Sequence, residues 1–283
     1  MRKKYICILV AVIGVCSLSG CGSSAKKKEE EQVTIGVVTK SKSSEYWLSV
    51  CDGMKDAAEK YHADVVILSP DSETEEEVQK NMIRDLLKTD IQAMAVSPID
   101  SYECEDYLNF AREKGISVYA CDTPIEDSEI PYIGIDNEKL GYELGEQLAK
   151  ALDHKGKIGV IAGDFKQAGH RMRVAGFEKY MEKEPGITIE MVRNGYSNMR
   201  VSQKDVDEIL VKYPDLNGIM TTSAVTALGL SEATEGREIS IVSVDAVKDL
   251  EGEGTGEDEI LDSQVLTEEN IDTYMKDDGH SHP

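Results

Sequence analysis

From residue 33 to residue 244 the chain alternates strand-length apolar runs with stretches of helical periodicity, and that alternation restricts the fold more than any other feature. VTIGVV (33–38), VVIL (65–68), IQAMAV (91–96), ISVYA (116–120), YIGI (132–135), KIGVIA (157–162), ITIEMV (187–192), GIMTT (218–222) and ISIVSV (239–244) are short and mostly β-prone. The segments between them have helical spacing. Thr74 and Glu77 match a capping box, and Val78, Met82, Ile83, Leu86 and Leu87 then share one face; Gly115 closes another helix at its C′ position. Strands alternating with helices imply parallel sheets with covered faces. Nine such units are more than one compact open sheet usually holds, so the expected fold class is α/β in two lobes, each a parallel sheet flanked by helices.

The residues just after the strands read Lys40-Ser41, Ser69-Pro70, Ser97-Pro98, Asp122-Thr123, Asp136-Asn137, Gly163-Asp164, Gly195-Tyr196, Ser223 and Asp245. Ligands of open parallel sheets bind beyond the carboxyl ends of the strands, so this row of hydroxyls, carboxylates and amides would line one edge. Ser, Asp and Asn also favour helix N-caps and turns, and either reading is open to each member alone. SKSSEYW (41–47) follows the first strand and holds the only tryptophan. Tyr46 and Trp47 are either core packing at a helix start or a surface kept for a ligand.

The N-terminus carries a separate signal. MRKK is a basic n-region, and YICILVAVIGVCSL is an apolar h-region too short for an ordinary membrane-spanning helix. Leu18-Ser19-Gly20-Cys21 resembles a bacterial lipobox, which implies cleavage before Cys21, lipid on its thiol and an extracytoplasmic chain anchored to the cell membrane; a signal anchor with an incidental cysteine is the alternative. GSSAKKKEEEQ (22–32) reads as a polar tether.

Composition bears on partners and chemistry. With 40% hydrophobic and 30% charged residues a packed core is expected, and a formal charge of −23 repels nucleic acid and anionic lipid heads. Cys7 and Cys16 leave with the signal, so Cys51, Cys104 and Cys121 remain, an odd set without CxxC or metal-like spacing and expected as buried free thiols. No GxGxxG, Walker-type loop, G-x-S-x-G or HExxH is present, and only His170 falls near the presumed edge, so neither an enzyme, a cofactor nor a metal site is expected. His280 and His282 sit in a tail read as disordered.

Taken in order, the motifs resemble the bacterial extracellular solute-binding proteins of the ribose-binding type, the type I periplasmic-binding-protein fold. TIGVVTKSKSSEYW is similar to the family's first strand and aromatic loop, AMAVSPIDS to its third strand and Pro turn, and GISVYACDT to its fourth strand. YIGIDNEKLGYELGEQLAK resembles the crossing into the second lobe, RMRVAGFEKY its arginine before Gly-Phe, and PDLNGIMTTSAVTALGLSEA and ISIVSVDA its late strands. The resemblance implies a signal peptide over 1–20, a tether over 21–32, a first lobe over 33–135, a second over 136–262 and an incomplete return segment and tail over 263–283. It implies capture of a sugar or polyol for an ABC transporter permease, or alternatively sensing for a membrane histidine kinase.

Residue by residue, the resemblance puts Tyr46 and Trp47 where the family stacks aromatics on the ligand. Asp122, Arg173 and Asp245 fall where charged groups bond sugar hydroxyls, with Lys40, Ser97 and Ser223 beside them. A sugar has an apolar C–H face for a ring and a hydroxyl rim for carboxylate acceptors and a guanidinium fork. The chain departs from the pattern at Ser223-Ala224, where many sugar binders carry Asn-Asp, and at Ser97, where some carry Asn. These changes imply a smaller, less hydroxylated or differently oriented ligand than ribose. VKDLEGEGTGED replaces a helix with a Gly- and acid-rich stretch, and the family's last helix and strand are expected to be missing after ILDSQV (260–265).

Overall fold

The computed structural model describes residues 32–234, 238–244, 259–261 and 265–266, all within one compact unit. Cys21, Asp245, nearly all of the tether, residues 246–258 and the histidine tail lie outside the described residues.

The first lobe contains β1 (Thr34–Val38), α1 (Glu45–Tyr61), β2 (Asp64–Leu68), α2 (Glu76–Leu86), β3 (Ala93–Val96), α3 (Glu105–Lys114), β4 (Ser117–Cys121) and β5 (Tyr132–Ile135). The second contains α4 (Asn137–Ala151), β6 (Gly156–Ala162), α5 (Ala168–Met181), β7 (Ile187–Asn194), α6 (Met199–Lys212), β8 (Gly218–Thr221), α7 (Ala224–Ala233) and β9 (Ser240–Val244). Two short strands follow, β10 (Glu259–Leu261) and β11 (Val265–Leu266). One sheet has the order β10-β5-β4-β3-β1-β2 and the other β11-β9-β8-β6-β7. Pairing is parallel apart from β11 against β9. Residues 259–261, at the start of the ILDSQV stretch, pair with Ile133–Ile135 of the first sheet. The open side of β5 offers unpaired backbone groups there, and β10 satisfies them.

Local chemistry explains the helix ends. Asp136 caps α4 by accepting from the Lys139 N–H at 2.9 Å, and Asn198 caps α6 by accepting from Arg200 and Val201. Gly115 ends α3 at φ 71°, a left-handed conformation that a Cβ would oppose. The capping box expected from Thr74 and Glu77 does not form. Helix α2 begins after Glu75, whose carboxylate accepts from the Asp71 and Ser72 N–H groups, while the Thr74 N–H turns to Ser72 Oγ. Short polar side chains have bonded the preceding turn instead of the helix start. The apolar face of α2 also shifts: Val78 is exposed and Gln79 is buried.

The cores follow the strand alternation. In the first lobe Val38, Met94, Val96, Val118 and Ala120 point to one face and meet Ile83, Leu86, Leu87 and Ala111 of α2 and α3. The second sheet is packed on both faces, with Ile158, Val160, Met220 and Val242 against α4 and α5, and Ile161 and Ile219 against α6 and α7. Helices α4 and α5 meet through glycines: a Cβ at Gly141 would overlap the Arg173 carbonyl, and one at Gly176 the Glu138 carbonyl. That close approach sets where Arg173 stands. Cys51, Cys104 and Cys121 are free thiols, the first two buried and the third half-buried. Among the described residues no helix is long and apolar enough to cross a membrane.

Candidate functional site

At the carboxyl end of the first sheet the side chains converge on Asp122, the residue after β4. It sits at φ 62°, with its carbonyl accepting from the Tyr132 hydroxyl at 3.0 Å. Its Oδ1 accepts from the Tyr46 hydroxyl at 2.8 Å, and its Oδ2 from Lys40 Nζ and Thr123 Oγ1, both at 2.8 Å. Lys40 also donates to Thr123 Oγ1 at 2.5 Å and to Gln167 Oε1 at 2.6 Å, so all three ammonium hydrogens have acceptors. Burial alone would raise the Asp122 carboxyl. Lys40, Arg173 and the Tyr46 hydroxyl outweigh burial and hold it well below the usual carboxylate range. Burial and the neighbouring Asp122 charge push the Tyr46 phenol well above its ordinary value, so it stays a neutral donor.

The aromatic pair divides its roles. Trp47 is 2% exposed and meets Tyr46 edge to face at 5.0 Å between centroids. Its Nε1 donates to Glu73 Oε1 at 2.9 Å, and Lys40 Nζ lies 5.4 Å from the ring centre. Trp47 is therefore the packed ring that backs Tyr46, which is less deeply buried. Gln79 joins the strand ends behind this cluster: Nε2 donates to the Thr39 and Ser97 carbonyls, and Oε1 accepts from the Ile99 N–H, each at 2.9 Å. Ser97 is buried beside β1, its N–H bonded to the Val38 carbonyl.

The second lobe brings a different set to its edge. Arg173 donates through Nε to Asn137 Oδ1 at 2.7 Å and through Nη1 to the Thr222 carbonyl at 2.8 Å. Both acceptors are neutral, so the guanidinium keeps its charge facing Asp122, whose acidity it increases. His170 is buried, with Nδ1 2.9 Å from Thr222 Oγ1 and Nε2 3.4 Å from Ser197 Oγ. Burial, followed by the Arg173 and Lys40 charges, keeps its imidazole neutral. A Cβ on Gly163 would strike that ring. Ser223 stands one residue past Thr222 as the N-cap of α7, and its side chain makes no capping bond.

Of the residues expected at the site, the fold brings Lys40, Tyr46, Trp47 and Asp122 into one cluster, with Arg173 acting on it from the other lobe. Ser97 supports that cluster through its backbone, and Ser223 stands at the margin. Glu73, Gln79 and Gln167 were not foreseen. Glu73 and Gln167 lie in polar stretches with no periodic or motif signal, and Gln79 lies in a helical stretch whose spacing marks its apolar neighbours for burial, whereas Thr123 and Asn137 stand in the strand-end row.

The sequence matches the family described as "Periplasmic binding protein domain" over residues 35–249. Its relatives include the D-ribose/D-allose-binding protein of Pseudomonas aeruginosa, 26% identical over 85% of this chain and 79% of that protein. The ribose import binding protein of Bacillus subtilis is 22% identical over 87% and 83%. Among solved structures, an ABC transporter solute binding protein of Burkholderia graminis in complex with D-arabinose superposes with a TM-score of 0.76, at 22% identity, over 86% of this chain and 97% of that one.

Proposed function

The chain belongs to the periplasmic binding protein domain family, and from that premise we propose that it is an extracytoplasmic receptor that captures a sugar or similar polyol for an ABC transporter, held to the membrane by lipid on Cys21. The observation that most supports this reading is the ionised Asp122, oriented by Lys40 and Tyr46 on one lobe and faced by Arg173 on the other. An ionised carboxylate accepts from ligand hydroxyls. A guanidinium that uses Nε and Nη1 on protein acceptors has Nη2 for a hydroxyl oxygen, and charge-assisted bonds of this kind are the strong ones. Tyr46 supplies an apolar ring beside them. A ligand touching both lobes binds their closed arrangement better than an open one, and that difference drives closure. The names of the relatives guide the ligand class, since they bind ribose, allose and xylitol.

Calorimetry and thermal-shift titration with D-ribose, D-allose, D-arabinose and xylitol test the reading. Saturating binding by at least one compound is expected, and it is expected to be lost in Arg173→Ala. A folded sample that binds none of them, nor any other monosaccharide or polyol, would remove the sugar assignment. The anchor is tested separately: Cys21→Ala is expected to move the protein from the membrane fraction to the soluble extracytoplasmic one, and unchanged fractionation would refute lipidation.

A further inference from the structure

Hydrogen bonds from the second lobe to the first are concentrated in the turn and first helical residues from Lys166 to Arg171. Lys166 Nζ pairs with Glu76 and lies 3.4 Å from Asp100 Oδ2, and its carbonyl accepts from the Ser101 N–H at 3.0 Å. The Ala168 N–H donates to Ser101 Oγ at 2.9 Å. Arg171 pairs with Glu126 and stacks 4.2 Å from the Tyr102 ring centre. Gln167 is thus clamped on both sides, and its own side chain is delivered into the first lobe, where it is 1% exposed.

What that amide meets is specific. Oε1 accepts from Lys40 Nζ at 2.6 Å, and Nε2 donates to Glu73 Oε2 at 3.1 Å. The other Glu73 oxygen accepts from the Trp47 indole N–H. An ammonium only donates and a carboxylate only accepts, so a bridging group must accept at one end and donate at the other. A primary amide does both, with its orientation fixed by its partners; a carboxylate would repel Glu73, and an ammonium would repel Lys40.

We infer that Gln167 is a positioning residue of the second lobe that holds Lys40 directly, and Trp47 through Glu73, so that the geometry of the first lobe's aromatic platform depends on contact between the lobes. The inference rests on the proposed role of that platform in ligand capture, but its mechanical part needs no ligand. Trp47 is the only tryptophan in the chain, so its emission reports this one place.

The test is acrylamide quenching of Trp47 in the purified, ligand-free chain, for the parent, Gln167→Ala, Gln167→Glu, Glu73→Ala and the Gln167→Ala/Glu73→Ala pair, with circular dichroism to confirm folding. Gln167→Ala is expected to raise the quenching constant at least threefold. Gln167→Glu, which keeps the size and the Lys40 acceptor, should raise it as well through repulsion of Glu73. The double variant should quench no more than the stronger single one, because both act through one linkage. A merely structural loop residue would give independent, multiplying effects. Unchanged quenching in both Gln167 variants, or multiplying effects in the pair, would overturn the inference. Since no sugar enters the measurement, coupling in chains that bind none of the sugars tested would uphold the linkage while the sugar reading falls.

Discussion

The strand ends of the two lobes are organised differently. On the first, an ionised carboxylate, a buried ammonium and two aromatic rings hold one another in place. On the second, a guanidinium and a neutral imidazole are held by amide, hydroxyl and carbonyl partners. Packing beneath them differs too. The second sheet is covered by two clusters, one on each face, whereas the opposite face of the first sheet leaves Ile35, Ala93, Ala95, Tyr119 and Ile133 half-buried. Across its 17 residues α1 buries Trp47 and Cys51 among the side chains described. The geometry of the first edge thus depends on charge pairing, and that of the second on close packing.

The largest expected effect breaks the charge pairing. Asp122→Ala leaves Lys40 buried without its counter-charge and is expected to cost about 3–5 kcal/mol of stability, the usual penalty for breaking a buried pair from one side. Arg173→Ala removes hydrogen bonds to neutral acceptors and should cost about 1–3 kcal/mol. Denaturant unfolding of the two variants checks the difference. Equal losses would mean that the two edges rest on the same kind of interaction.

The second prediction uses one substitution in both lobes. Gly176→Ala puts a methyl against the Glu138 carbonyl, which is backbone and cannot swing aside. It is expected to destabilise by about 1–3 kcal/mol, the range for overpacking. Gly53, in the exposed part of α1, has nothing within 4 Å of its missing Cβ. Gly53→Ala should therefore stabilise by about 0.5–1 kcal/mol through helix propensity alone. Melting temperatures moving in the same direction would contradict this reading of the α4–α5 contact.

These contrasts were only partly legible in the sequence. Strand positions were readable because short β-prone apolar runs stand between helical stretches, as in KIGVIA against β6, which is buried on both faces, and Asp122 and Lys40 could be placed because strand ends in parallel sheets share one edge. Gln79 illustrates what could not be read. Helical spacing marks apolar residues for burial, so it favoured Val78, while the burial of Gln79 follows from three backbone groups of the β1 and β3 ends, which tertiary contact alone brings together. The failed Thr74–Glu77 capping box has a local origin instead, since adjacent Ser72 and Glu75 offered competing bonds. For Trp47 the sequence left packing and stacking open. The Glu73 acceptor, 26 residues away, completes its enclosed site.

The smallest expected effect separates the two edges by pH. His170 is neutral in the fold because burial and the Arg173 and Lys40 charges oppose its protonation, with Asp122 the favourable charge in its surroundings. Its folded pKa lies well below the unfolded value of about 6.5. Below that pH the unfolded chain binds the proton and the folded one does not, so stability falls as pH falls, by at most about 1.4 kcal/mol per unit. Asp122 is also depressed, by Lys40, Arg173 and Tyr46 against the burial that would raise it. Its contribution is fully present above its unfolded value of about 4 and is lost only as pH drops below that toward the folded value. His170 therefore contributes to the slope between pH of about 6.5 and 4.5, and Asp122 to the slope below about 4, alongside Glu76 and Asp215, whose carboxyls are also depressed. In unfolding measured across both, His170→Gln should flatten the upper slope by about one proton and leave the lower one unchanged. Asp122→Asn should do the reverse. If His170→Gln leaves the upper slope as steep as in the parent, the imidazole is already protonated in the fold, and the second edge carries two cations instead of one.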